Sequence, residues 1–292
     1  MKLLDFYPKN LKEITLAGHR CALFDEGDGI PIIFLHGFSV NLAVFSSVFP
    51  LFLRDHRVIA FDYPGYYLSE KRDEALYSIP FMADAVLELI RKLKLSDVIL
   101  VGSSMGGAIA IEAAYKNPKN IRALIGLAPA GFSGRNLPLS FIVYLQGKFL
   151  PHDLSEREMF DRLLNRVDTF FYDKKNPARE DIIAGYYAMK ARPDFGAWVR
   201  TLMKMAGLLL SYDARRRARN IEIPALILWG DKDEVLPVKG ASLAKKAMKK
   251  NLTVEIIPNG SHLFFIETPG ICAEKIRGFL ARLQGGAEEE AE

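Results

Sequence analysis

Cysteine is scarce in this 292-residue chain, and so are tryptophan and long apolar runs. Two cysteines, Cys21 and Cys272, are too few for a disulfide framework or a zinc-ligand cluster. No window supplies the ~18 uninterrupted apolar residues of a membrane span; the longest candidate, near Ala206 to Leu210, is far shorter. The opening Met1-Lys2-Leu3-Leu4-Asp5 holds one basic residue and meets an acid at once, so it does not read as a signal peptide. A cytoplasmic setting is the expectation that follows. Charge of one sign is also lacking. The net charge is +4, and the last eight residues carry four glutamates that read as a frayed acidic tail over 285–292. Without those four negative charges the remainder stands at +8, with no basic stripe interleaved with aromatics. Nucleic acid is therefore not an expected partner. The cluster Arg215-Arg216-Arg217-Ala218-Arg219 reads as a solvated linker or helix face.

Apolar residues make up 50% of the chain and charged ones 25%, the balance of a globular protein with a sizeable core. Lys12 to Leu16 and Arg20 to Asp25, around Ala17-Gly18-His19, read as an antiparallel hairpin. Six short apolar runs follow: Ile30 to Gly37, Arg57 to Asp62, Asp97 to Gly102, Ile121 to Leu127, Ala225 to Gly230 and Leu252 to Ile257. Continuous rather than alternating apolar character marks strands buried on both faces. Amphipathic helical patterns fall between most of them, at Pro80 to Leu93, Met105 to Lys116, Val238 to Lys249 and Pro269 to Leu283. The alternation predicts an α/β fold, a mostly parallel sheet flanked by helices.

It breaks between Leu127 and Ile223. That stretch is helical in pattern and rich in aromatics and methionine, among them Phe141, Tyr144, Phe149, Phe170, Tyr172, Tyr186, Tyr187, Trp198 and Met205. An inserted helical subdomain over 131–213 explains it better than a structureless loop. The core would then be built from 1–130 and 214–284.

Gly102-Ser103-Ser104-Met105-Gly106 fits G-x-S-x-G. Five residues alone are weak evidence, but this motif closes a predicted strand and opens a predicted helix. The turn must be sharp, so a side chain at Gly102 or Gly106 would collide with the neighbouring strand and helix. A serine hydroxyl becomes a nucleophile only when a base takes its proton. Five histidines are available. His19 lies in the hairpin turn, His56 starts a strand and His152 follows a proline; each reads as a surface or satisfied histidine. His262, in Pro258-Asn259-Gly260-Ser261-His262, follows the last strand and so falls at the carboxyl edge where Ser104 emerges. The base needs a carboxylate to fix its tautomer. Trp229-Gly230-Asp231-Lys232-Asp233 offers two. Asp233 has room to turn back toward the histidine, and Asp231 is expected to hold the loop through local backbone N–H groups. For a developing oxyanion, the backbone N–H groups of Phe38 and Met105 are the expected donors, the second at a helix N-terminus. His36 is expected to brace its loop.

These residues together resemble the α/β-hydrolase fold superfamily from about Ile14 to Leu283. The resemblance rests on His36-Gly37, Asp62-Tyr63-Pro64-Gly65 with Ser69, Val101-Gly102-Ser103-Ser104-Met105-Gly106-Gly107, Trp229-Gly230-Asp231-Lys232-Asp233, Ser261-His262, and Glu267 with Pro269. Within the superfamily, His36-Gly37-Phe38-Ser39, Ser104-Met105-Gly106-Gly107 and Ala128-Pro129-Ala130-Gly131 resemble the monoacylglycerol lipase and carboxylesterase branch. At Tyr67 many relatives carry a second glycine; the change is expected to reshape the loop beside the pocket and to touch no catalytic position.

The resemblance implies a serine hydrolase acting on an apolar small-molecule ester, of short to medium acyl chain or a monoacylglycerol. It implies catalysis by Ser104, Asp233 and His262, no cofactor and no metal, a helical cap over 131–213, and a monomer or homodimer. One alternative is a carbon–carbon bond hydrolase of the meta-cleavage type; such relatives carry tryptophan after the histidine, where this chain has Leu263. The other is a non-catalytic small-molecule receptor on the same fold, although that role would not require every triad member to be kept in register.

Overall fold

The computed structural model describes residues 7–132, 155–248 and 251–289. Eight strands form one sheet: β1 (Lys12–Leu16), β2 (His19–Glu26), β3 (Ile30–Leu35), β4 (His56–Phe61), β5 (Val98–Ser103), β6 (Ile121–Leu127), β7 (Ala225–Gly230) and β8 (Leu252–Ile257). The order across the sheet is β1-β2-β4-β3-β5-β6-β7-β8. The pairs β1–β2 and β2–β4 are antiparallel, and the remaining pairs are parallel. The runs predicted as strands are strands, within one or two residues at their ends. Two interior strands, β5 and β7, are buried at every position. That follows from their place in the sheet: a strand covered on both faces has no side on which a polar residue could meet water.

Helices α1 (Ile79–Lys92) and α2 (Met105–Lys116) lie between strands of the first half. α1 starts where Ser78 accepts the Phe81 amide and Pro80 occupies the first turn, both favourable at a helix start. Between β6 and β7 come α3 (Glu156–Arg166), α4 (Ala178–Lys190), α5 (Phe195–Ser211) and α6 (Ala214–Ala218). No strand occurs among the described residues of this stretch. Phe141, Tyr144, Phe149 and His152 lie outside the described residues. α3 opens with a capping box between Ser155 and Glu158. Its neighbours bury Phe160, Tyr186, Trp198 and Met205, whereas Tyr172 and Tyr187 are exposed at 52% and 54% and belong to neither core nor pocket. The chain then completes the sheet with α7 (Lys239–Ala247), α8 (Phe264–Glu267) and α9 (Pro269–Glu289).

Two readings of the charged residues need correction. α9 runs to Glu289, so it includes five residues assigned to a frayed tail. Once a helix exists, each added residue gains a bond for little cost, so the helix carries through Gly285 and Gly286, which disfavour it, to Ala287, Glu288 and Glu289, which extend it well. The arginine cluster is not simply a solvated face. Arg217 pairs at 2.9 Å with Glu112 of α2, which is almost wholly buried and also accepts the Tyr212 hydroxyl at 2.9 Å. A buried carboxylate needs such partners, and here they fasten the end of the inserted stretch to α2. Arg215 pairs with Asp213.

Candidate active site

Ser104 stands between β5 and α2 with φ 52° and ψ −115°. This is a backbone state that a side chain disfavours, held because the chain reverses within one residue. The reversal is locked by backbone bonds: Ser104 N–H donates to Leu127, and the Ser104 carbonyl accepts the amides of Gly107, Ala108 and Ala130. The glycines are dictated by contact. A Cβ on Gly102 would run into the Gly106 backbone, and one on Gly106 into the Leu35 and His36 carbonyls of the neighbouring strand end. Met105 is the first residue of α2, where the N–H groups have no partner within the helix.

The loop after β3 lies against this turn. A Cβ on Gly37 would sit 3.5 Å from the Ser104 Cβ, which places Phe38 beside the serine. His36 is fully buried, and burial pushes its imidazole down to about 3. Nε2 accepts the Tyr63 amide at 3.4 Å, so Nδ1 carries the proton and donates to the Gly37 carbonyl at 2.9 Å. His36 is thus a neutral brace. Asp62, also buried, organises the neighbouring loop. Its carboxylate accepts the amides of Leu42 and Leu68 and the Tyr7 hydroxyl. Ser69 Oγ donates to the Asp62 carbonyl at 2.6 Å.

Asp233 and His262 meet across the ends of β7 and β8. Asp233 Oδ2 is 2.8 Å from His262 Nδ1, with both side chains buried. A carboxylate only accepts, so Nδ1 carries hydrogen and Nε2 is left as the basic nitrogen. Asp233 Oδ1 accepts the Val235 and Leu236 amides at 2.8 Å each. The expectation that Asp231 would hold this loop through backbone N–H groups is therefore wrong. Asp231 is exposed and lies 3.9 Å from Lys232, and Asp233 both orients the histidine and organises the turn. Local contacts account for Trp229-Gly230. The Trp229 indole donates to the Leu236 carbonyl at 2.9 Å, and a Cβ on Gly230 would strike Gly260 and Ser261 of the histidine loop.

Ser104, His262, Gly37 and Phe38 line one cavity of about 50 Å³ with Leu163, Phe170 and Arg166 of the inserted stretch. The lining is mostly apolar. Two features here were not foreseen. Arg166 brings a cation to the wall of the cavity. Glu267 accepts the Tyr172 and Asp173 amides at 3.0 Å and the Ser261 hydroxyl, so it ties the loop after α3 to the histidine loop. Glu267 was visible only as part of a motif, because its partners are remote in sequence. Of the other histidines, His56 pairs with Asp55. His19 is buried, not superficial: Nδ1 meets the Ala17 carbonyl at 2.8 Å, and Nε2 has no hydrogen-bond partner. Both cysteines are buried and free, and burial pushes each thiol up to about 12.

A parallel sheet carrying a serine on a strained strand–helix turn, with a carboxylate–imidazole pair at the same edge, defines a class. Residues 30–269 match the family described as the alpha/beta hydrolase fold, and the chain belongs to that family. It is 30% identical over 269 residues to the AB hydrolase superfamily protein YisY of Bacillus subtilis, covering 88% of this chain and 92% of that one. It is 27% identical over 259 residues to human monoacylglycerol lipase ABHD6, covering 86% and 75%. Among solved structures, the meta-cleavage product hydrolase CumD of Pseudomonas fluorescens superimposes with a TM-score of 0.76 at 21% identity, covering 93% and 97%. Among the described residues no helix is long and apolar enough to cross a membrane.

Proposed function

We propose that the protein is a serine hydrolase of carboxylic esters that works through an acyl-enzyme. The observation that carries this reading is the buried 2.8 Å Asp233–His262 hydrogen bond, with His262 and Ser104 on the wall of one cavity. Asp233 holds the imidazole with Nε2 unprotonated. His262 takes the Ser104 proton as the oxygen attacks the ester carbonyl, and the tetrahedral oxyanion is held by the Phe38 and Met105 N–H groups. His262 then protonates the leaving alcohol, and water repeats the sequence on the acyl-enzyme. Residues 131–213 act as a cap whose Leu163 and Phe170 cover the apolar side of the substrate. The substrates are short- to medium-chain esters or monoacylglycerols, which the mostly apolar lining favours.

Fluorophosphonate labelling of Ser104 and turnover of p-nitrophenyl esters from acetate to palmitate test the reading. Monoacylglycerols and a vinylogous diketone belong in the same panel. Ester turnover that vanishes in Ser104→Ala is expected. Absence of both labelling and ester turnover would overturn the proposal, and turnover of the diketone alone would replace it with carbon–carbon bond hydrolysis.

A further inference from the structure

Tyr67 occupies a backbone position that a tyrosine should avoid. Its φ is 33°, in the left-handed region that a β-carbon disfavours and glycine enters freely. It is nonetheless fully packed, at 2% exposure, with its ring edge-on to Trp198 of α5 at 5.2 Å. A strained residue persists only when its surroundings over-determine it, and such outliers cluster where geometry matters for function. The surroundings here are specific. The Tyr67 hydroxyl donates to the Ser39 carbonyl at 2.9 Å. Ser39 directly follows Phe38, is itself left-handed at φ 62°, and is 2% exposed. Its hydroxyl lies 2.9 Å from the Tyr186 hydroxyl of α4. Ser39 is thus held at two points, by its carbonyl from the Asp62 loop and by its side chain from the inserted helices.

From this geometry we infer that Tyr67 and Tyr186 are positioning residues that clamp Ser39 and so aim the Phe38 N–H at the oxyanion. The inference rests on the proposed serine-hydrolase reading and deepens it. The mechanics are direct. The turn from Gly37 to Val40 carries a strained φ at Ser39. A free Ser39 carbonyl would let that residue relax toward the ordinary region; the Phe38–Ser39 peptide would rotate with it and release Phe38, whose own N–H, in the Gly37–Phe38 peptide, would then turn from its aim. An oxyanion donor acts only if it is preorganised within a few tenths of an ångström. Burial pushes the Tyr186 hydroxyl up to about 12 and that of Tyr67 well above its ordinary value, so both stay protonated through the neutral range. The Tyr67 contact was unforeseen: a glycine at that place would free the backbone and supply no hydroxyl.

Tyr67→Phe removes one oxygen and leaves the ring in place, and Tyr186→Phe does the same on the other side. Kinetics on an aryl ester should show kcat reduced threefold or more in Tyr67→Phe, with KM changed less than twofold. Affinity for a trifluoromethyl ketone, which forms a tetrahedral adduct, should weaken in parallel with kcat/KM. Tyr186→Phe should shift the same quantities in the same direction. Tyr187→Phe, exposed on the same helix, is the control and should change neither. Hydrogen exchange of the peptide spanning 36–41 gives a readout independent of turnover and should accelerate in Tyr67→Phe. A loss of kcat below threefold, or unchanged exchange of that peptide, overturns the inference. If the wild-type protein neither labels at Ser104 nor turns over an ester, the hydrolase reading fails, and with it the catalytic role of the clamp. Exchange then still decides whether Tyr67 holds the loop.

Discussion

Asp233→Asn separates charge from shape at the candidate site. One carboxylate oxygen accepts His262 Nδ1–H at 2.8 Å, and the other accepts two backbone amides at the same distance. The carbonyl oxygen of an asparagine can keep both amides, which turns its NH2 toward Nδ1. A donor in that place obliges Nδ1 to accept, so the ring proton moves to Nε2. A protonated Nε2 cannot take the serine proton. The expected loss is on the order of 10⁴ in kcat, or roughly 5.4 kcal/mol at about 1.36 kcal/mol per factor of ten. Stability should change little, because the amides keep their acceptor. Asp233→Ala differs on that second axis. It leaves two buried amides without an acceptor, at about 1–3 kcal/mol each. At roughly 2–4 °C per kcal/mol for a chain of this size, Tm should drop by about 4 °C or more. Steady-state hydrolysis of a p-nitrophenyl ester and thermal unfolding followed by circular dichroism measure the two axes. Asparagine should be inactive and near wild-type in Tm, and alanine inactive and less stable. Retention of more than a tenth of wild-type kcat by a folded Asp233→Asn protein would refute the argument that the carboxylate sets the tautomer.

Two further outcomes follow from buried groups outside the candidate triad. His36 is held down to about 3 by burial, below its ordinary value, so the unfolded chain binds the extra proton first as pH falls. Stability present above about pH 6.5 is lost as pH drops toward 3, with a slope of roughly 1.4 kcal/mol per pH unit from this group. Urea unfolding at intervals from pH 7 to 4 should show that slope, reduced in His36→Asn. Lys71 is buried, with Nζ on the Tyr67 and Ser69 carbonyls and on Asp194, which begins α5. Lys71→Met should cost about 1–3 kcal/mol through the unsatisfied carbonyls, read as a lower Tm, because Asp194 keeps Arg192 as a partner.

Much of this architecture was legible because the interior strands are covered on both faces and show as apolar runs, so little but their ends was open to doubt. Ser104 was legible for a local reason as well. A reversal within one residue admits only glycine at Gly102 and Gly106, and contact with the Leu35 and Gly106 backbone bears that out. Asp233 was legible as the partner of the histidine, and only the loop-holding role given to Asp231 was misjudged, because two carboxylates two residues apart have the same local chemistry. Which of them turns inward depends on where the histidine loop passes, and that loop lies some thirty residues on. Composition counts Tyr172 and Tyr187 with the other aromatics of the inserted stretch, and only the structure shows that they face solvent.

The sequence by itself determined the sheet, its α/β alternation and the edge at which Ser104, Asp233 and His262 could gather, since these depend on periodicity, turn chemistry and chain order. Only the tertiary structure decided what holds that edge in place. Glu267 joining two loops, Arg217 covering Glu112, and Tyr67 reaching back to the Ser39 carbonyl are pairings between residues 28 to 105 positions apart. Hydrogen bonds of that reach leave no periodic trace in a sequence. They exist only once packing has removed water and left each polar group to be satisfied by whichever partner the fold brings near.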